Sequence, residues 1–277
     1  MEKILTIESP QNPRVKAAVK LRKSKVRQET GRMLVEGYRE ILRATESGWR
    51  FKELYFCPEL YLDPQAGELA DRILQGGTPG FHCSETAFRK MSYRETPDGL
   101  IALSPLVGKK LDELDLPEHP LLLVAEDLEK PGNLGTILRT ADATGVDAVI
   151  ACDPKTDLNN PNVIRASIGT LFFIPVAEAT TEETIRWLEK RGIQSLAAVP
   201  GAAMEYTDAD MRRGTAIVVG AEDDGLGESW KNQANLKVGI PMLGKNDSLN
   251  VSTAAAVLLY EAVRQRREKA HPPGPIG

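Results

Sequence analysis

The 277-residue sequence has only three cysteines, Cys57, Cys83 and Cys152, widely spaced and without a CxxC pair. A structural zinc ion wants four ligands, and the His82–Cys83 dipeptide is the nearest thing to a set of them. Ordinary surface or core chemistry is the expected reading of that dipeptide, and no metal is expected. Unpaired thiols fit a reducing, cytoplasmic setting. No stretch approaches the ~18 consecutive apolar residues of a membrane helix. The opening MEKILTIESP has neither a long apolar core nor a cleavage pattern, so no secretion signal is expected. No G-x-G-x-x-G fingerprint follows the first strand of either half, which leaves dinucleotide binding without support. There is no internal repeat.

What is present is enough apolar residue, 42%, for a real core in one large or two ordinary domains. Charge is unevenly placed. Arg14, Lys16, Lys20, Arg22, Lys23, Lys25, Arg27 and Arg32 face a single acid, Glu29, so this arm carries +7 against −4 for the whole chain and −11 for the rest. A basic arm on an acidic protein offers a place for a polyanion, with strongly salt-dependent binding. By itself it reads equally well as a solvated helix face.

Residues 1–107 alternate helical and strand patterns. Helices are expected over 13–30, 36–47, 65–76 and 84–91, with strands at 51–57, FHCSE and LIALSP. Residues 108–120, rich in charge, read as a linker. A second unit, 121–267, opens on LLLVAED, a continuous apolar run of the kind buried on both faces of a sheet. Helix 134–144, strand VDAVIAC, helix 161–170, strand LFFIPV, helix 181–191, strands IQSLAAV, TAIVVG and LKVGIPM, and helix 249–267 follow. Val251, Ala254, Ala255, Leu258, Leu259, Ala262 and Val263 step by three and four, which buries one stripe of the last helix. The tail 268–277 is expected to be disordered. Strands alternating with helices predict an α/β fold around a largely parallel sheet.

Three loops concentrate polar residues at strand ends. Pro131-Gly132-Asn133-Leu134-Gly135 follows the buried strand and leads into a helix bearing Arg139. Glycines let backbone approach a ligand, and a helix start offers free N–H groups. On this loop alone, a capping Asn133 and a surface Arg139 are the preferred reading. Gly220-Ala221-Glu222-Asp223-Asp224-Gly225-Leu226-Gly227 sits where open α/β sheets bind ligands, or is an acidic turn. Ile240 through Gly244 then crosses to Ser248, Leu249, Asn250 and Ser252, more polar side chains than one helix cap needs. The stretch Gly239 to Asn246 imitates a phosphate-binding G-x-x-x-x-G-K loop. An asparagine replaces its magnesium-binding hydroxyl and a proline interrupts it, so that reading is set aside.

Together, NLGTILRTADATG (133–145), VVGAEDDGLG (218–227) and IPMLGKNDSLNVSTAAAVLLYEAVR (240–264) resemble, in order and position, the SpoU (TrmH-type) branch of the SPOUT RNA methyltransferases. Leu34-Val35-Glu36-Gly37 is similar to a signature of that family's N-terminal, ribosomal-protein-like RNA-binding domain. The resemblance implies an S-adenosylmethionine-dependent ribose 2′-O-methyltransferase acting on RNA, most of all 23S ribosomal RNA. It implies a C-terminal parallel-sheet SPOUT domain with a deep trefoil knot, a departure from the rule that chains do not thread loops. It also implies a cytoplasmic homodimer. By resemblance Gly220, Ile240 and Leu249 contact the cofactor, Arg139 activates the hydroxyl, and Asn133, Glu222 and Asn250 hold Arg139 and the ribose, with Ser252 assisting. Arg14, Lys16, Arg22, Lys23, Lys25 and Arg27 would bind RNA. The alternatives are a transfer-RNA 2′-O-methyltransferase, a base-nitrogen methylase, and a non-catalytic RNA-binding protein of the same fold.

Overall fold

The computed structural model describes residues 4–221 and 224–270, the last three without their side chains. Glu222 and the tail beyond 270 lie outside the described residues. The chain forms two compact units.

The first unit comprises the chain up to Val107 together with 157–173. Its elements are β1 (Leu5–Ile7), α1 (Pro13–Lys20), α2 (Ser24–Thr30), β2 (Arg32–Glu36), α3 (Tyr38–Glu46), β3 (Glu53–Phe56), α4 (Ala66–Gln75), β4 (Gly80–Cys83), α5 (Glu85–Met91) and β5 (Leu100–Pro105). The sheet order is β1-β4-β3-β5-β2, with β5 antiparallel to both its neighbours. The segment β2 escapes sequence recognition because its apolar run is only Met33 to Val35, too short for a period to declare itself. The helix expected over 13–30 breaks at Leu21–Lys23. Arg27 accounts for the break: its Nη1 donates to the carbonyls of Leu21 (2.7 Å) and Arg22 (3.0 Å). Segment 157–173, expected to belong to the second domain, packs here. Asp157 accepts from Arg27, the Asn159 side chain hydrogen-bonds both N–H and C=O of Val107, and Phe172 meets Trp49. Its helix, Pro161–Ala166 (α7 in chain order), ends early. The apolar run LFFIPV is largely not a strand: Thr170–Phe172 form a 3-10 turn. A short apolar run does not distinguish the two by pattern.

The second unit comprises 108–156 and 174–277. It contains β6 (Leu121–Glu126), α6 (Pro131–Thr144), β7 (Ala148–Cys152), β8 (Val176–Ala179), α8 (Thr181–Lys190), β9 (Gln194–Ala198), β10 (Met204–Glu205), β11 (Thr215–Val219), α9 (Glu228–Gln233), β12 (Leu236–Gly239) and α10 (Val251–Ala270). All seven strands are parallel, in the order β10-β12-β9-β11-β6-β7-β8. Every residue of β6 is buried, as its unbroken apolar run requires of a central strand. Leu122, Val124, Ile150, Trp187 and Trp230 anchor the core, each aliphatic side chain contributing ~1.5–3 kcal/mol by leaving water. The stretch 108–120, expected as a linker, is instead packed. Lys109 N–H donates to Val176 C=O at 2.8 Å, and Leu111 and Leu114 join the core. The stripe Val251, Ala255, Leu258, Leu259 and Ala262 on α10 is buried. Because all strands run one way, every loop at their carboxyl ends opens on one side of the sheet.

Candidate active site

The turn after β6 enters α6 with Pro131 at the first helical position and Lys130 as the capping residue, without a side-chain capping bond. Asn133 therefore lies inside the first turn and is not the cap that its position suggests. Its side chain is turned to another use: Asn250 Nδ2 donates to Asn133 Oδ1 at 3.4 Å. Asn250 is itself the cap of α10. Its backbone carbonyl accepts from Ala254 N–H (2.9 Å), and its Oδ1 accepts from Ser252 N–H (3.0 Å) and Ser252 Oγ (2.6 Å). One amide thus terminates a helix and reaches across to residue 133, 117 positions away. The first and third polar loops meet at this pair.

Beside it lies a cavity of about 430 Å3 at the carboxyl ends of β9, β11 and β12. Gly220, Ile240 and Leu249 all line it, alongside Val219, Leu226 and Val251 on the apolar side and Asp224, Asp247 and Ser248 on the polar side. The second loop closes on itself through paired Ala221–Gly225 backbone bonds of 3.1 Å. Gly220 is compelled by space: a Cβ there would overlap the Gly225 carbonyl and come within 2.5 Å of the Leu226 nitrogen. Two contributors escape the sequence. The turn Ala198-Val199-Pro200 after β9 lines the cavity, and its signal was a proline-glycine stop directly after an apolar strand. Glu126, a carboxylate closing the otherwise apolar β6, is 7% exposed; a charge ending a buried run is the signal there.

Arg139 is exposed on α6 and makes no hydrogen bond or ion pair among the described residues. Among the described residues no hydrogen bond joins it to the Asn133–Asn250 pair. The position of Glu222 lies outside the described residues. No group of three or more His, Cys, Asp or Glu suited to a metal occurs among the described residues. The three thiols are buried, and burial pushes each of them up to about 12, so they stay protonated and unreactive at neutral pH.

In the basic arm, Lys16, Lys23 and Lys25 are exposed. Arg14 pairs with Glu53 and lies 4.3 Å over the Phe81 ring. Arg22 donates to the carbonyl of Lys90 (3.2 Å) and lies over Tyr93. Arg27 does not belong with the RNA-facing residues. It is 2% exposed and pairs with Asp157 at 2.6 Å, and its other donors hold the α1–α2 break. Arg27→Ala removes the charge partner of the largely buried Asp157, which keeps only its bonds from Ser24 Oγ and Asn159 N–H, so it is expected to cost about 3 kcal/mol of stability. Urea unfolding measures this, and RNA affinity per folded molecule is expected to stay unchanged.

Residues 120–260 match the SpoU rRNA Methylase family, and residues 12–102 match the MRM3-like substrate binding domain. The chain is 30% identical to the Bacillus subtilis 23S rRNA (guanosine(2553)-2′-O)-methyltransferase RlmP over 254 residues, 92% of this chain and 97% of that protein. It is similar to a crystal structure described as an RNA 2′-O ribose methyltransferase, at 39% identity and a TM-score of 0.82 over 95% of this chain and 100% of the other. It is also similar to the SpoU methyltransferase AviRb from Streptomyces viridochromogenes in complex with AdoMet, at 28% identity and a TM-score of 0.85 over 93% and 99% of the two chains. The convergence of the Asn133 and Asn250 turns beside a cavity at the strand ends, and matches that cover both halves of the chain, lead to one conclusion: the chain belongs to the SpoU rRNA methylase family.

Proposed function

We propose that this protein transfers the methyl group of S-adenosylmethionine to a ribose 2′-hydroxyl of ribosomal RNA, 23S RNA foremost. The observation that carries the reading is the Asn133–Asn250 contact beside the cavity lined by Gly220, Ile240 and Leu249. The cavity's size is in the range of small-molecule sites. Its apolar walls suit an adenine ring, and Asp224 and Asp247 suit a cation. When bound, the cofactor supplies an electrophilic methyl on a positively charged sulfur. The ribose oxygen forms a bond to that methyl carbon as the carbon–sulfur bond breaks, and the sulfur keeps the electron pair and becomes neutral. The hydroxyl proton passes to solvent as the bond to the methyl carbon forms. The protein's task is alignment and stabilisation of the developing alkoxide. Asn133 and Asn250, with Glu222, hold the ribose and Arg139. A guanidinium ordinarily keeps its proton, so Arg139 acts by binding phosphate and stabilising charge rather than as a base. Only RNA carries the accepting hydroxyl.

The fold reading extends in the same direction. The chain between β12 and α10 passes through a loop to make a trefoil knot, residues 1–107 bind the RNA, and 121–267 carry the methyltransferase. Two copies pair, which is supported by the exposure of Leu243 (97%) and Tyr260 (54%) on and beside α10. An exposed Arg139 with no hydrogen bond or ion pair among the described residues suits a site completed by the second copy. Buried, unpaired thiols suit a reducing cytoplasm. No helix among the described residues is long and apolar enough to cross a membrane.

Mapping ribose methylation in ribosomal and transfer RNA from cells with and without the gene tests the reading. Loss of one 2′-O-methyl mark from 23S RNA is expected; a lost mark confined to transfer RNA, or none, overturns it. For the basic arm, changing Lys16, Lys23 and Lys25 together to alanine is expected to flatten the slope of log affinity against log salt by about 2.5. Filter binding across a salt series measures it.

A further inference from the structure

The cavity loop is held in place by a buried group that does not itself line the cavity. Glu126 is the last residue of β6, the central strand, and its carboxylate is buried. Each oxygen takes one donor: Oε1 from Thr181 Oγ1 at 2.8 Å, Oε2 from Gly227 N–H at 2.6 Å. Gly227 closes the second polar loop, directly after Leu226, which lines the cavity and is 3% exposed. A Cβ at Gly227 would stand 3.2 Å from Glu126 Oε1, so a side chain there would have to push the carboxylate aside by a few tenths of an ångström. On the other side of Glu126, Asp127 takes φ +56° and turns the chain towards Asn133. Aspartate is among the side-chain-bearing residues that adopt this backbone most readily. One carboxylate therefore joins the strand that feeds the reaction turn to the exit of the loop that walls the cavity.

We infer that Glu126 is a positioning residue: its charge-assisted bond to the Gly227 amide sets the 224–227 wall for S-adenosylmethionine. Burying a carboxylate is expensive, and a charge-assisted bond to a backbone amide is among the stronger ways to offset it. A packed apolar residue would hold the core equally well. It would leave the Gly227 amide without an acceptor, and the loop free to move off the cavity. The inference rests on the cavity being the cofactor site.

The test compares wild type, Glu126→Gln, Glu126→Asp and Thr181→Val by titration calorimetry with S-adenosylmethionine, by RNA binding, and by thermal unfolding without ligand. Glutamine keeps the shape but loses one acceptor oxygen and the charge. Glu126→Gln is expected to weaken cofactor binding about tenfold with RNA affinity unchanged, and to move the Gly227 amide proton resonance upfield. Glu126→Asp is expected to recover part of the affinity, and Thr181→Val, which leaves the Gly227 bond intact, to retain nearly all of it. A folded Glu126→Gln protein that binds the cofactor as wild type does, with only its melting temperature lowered, overturns the inference. If that variant does not fold, Gly227→Ala takes its place. The same loss is then expected, and wild-type affinity overturns the inference. Wild type failing to bind S-adenosylmethionine would instead remove the underlying functional reading.

Discussion

Arg139→Ala is expected to reduce methyl transfer to RNA by a factor on the order of 10³, the size found when one preorganised charge-stabilising donor is removed from a reaction centre. The side chain is exposed on α6 and has no hydrogen bond or ion pair among the described residues. Because it is exposed and without such a partner among the described residues, its removal should leave the melting temperature within the small range typical of surface changes. Cofactor affinity should also stay unchanged, because Arg139 does not line the cavity. Transfer from a labelled methyl donor, measured at saturating RNA and again under single turnover, separates the two parts of the claim. If Arg139 stabilises charge in the transition state, kcat and kcat/KM fall together. If it only grips an RNA phosphate, KM rises and kcat persists. Arg139→Lys discriminates further, since an ammonium keeps the charge but not the planar fork. Full activity in the alanine variant rejects the role while leaving family and fold untouched.

The sequence made the second unit legible because its signals are strong there. LLLVAED reads as a buried strand for a simple reason: β6 lies between β11 and β7 with both faces covered. The spacing on α10 reads correctly at Val251, Ala255, Leu258, Leu259 and Ala262, with Ala254 and Val263 only half-buried at the stripe's margin, because three- and four-residue steps have one structural meaning. The first unit is harder. A strand such as β2, with three apolar residues, carries no period, and the 13–30 pattern hides a break that only the partner of Arg27 reveals. Arg27 also shows the limit of charge counting. Eight basic residues in one arm look alike as letters, yet Asp157, 130 positions on, removes one of them from the surface. Asn133 errs in the opposite direction. Its place at a helix start makes capping the plain expectation, and the structure frees it from that duty by starting α6 at Pro131. What the letters cannot supply is contact between distant positions, and the site is made of such contacts: 133 with 250, 126 with 227.

Gly220→Ala is expected to abolish useful cofactor binding, for a reason that is steric and local. Gly220 directly follows the β11 strand at the cavity wall, and the loop folds back so closely that the Gly225 carbonyl and the Leu226 nitrogen occupy the space of a Cβ. These are backbone atoms, so no rotamer change relieves the overlap. Either the paired Ala221–Gly225 bonds open, or the strand end shifts. Both outcomes displace Leu226, and with it the wall that Glu126 steadies through Gly227. Overpacking of this kind costs towards ~3–4 kcal/mol when the surroundings cannot yield, which corresponds to an affinity loss on the order of 10²–10³. The core strands are already paired before Gly220 is reached, so the fold should survive with a modest fall in melting temperature. Calorimetric titration with S-adenosylmethionine, alongside RNA binding by the same protein, reads the result. Cofactor binding should vanish from the measurable range while RNA still binds through the first unit. Gly225→Ala is the contrasting case: its Cβ would meet nothing within 4 Å, and only its φ of +66° resists the substitution. It should bind the cofactor far better than Gly220→Ala. An equal loss in the two variants would mean that backbone freedom in the loop, rather than the space beside Gly220, governs the pocket.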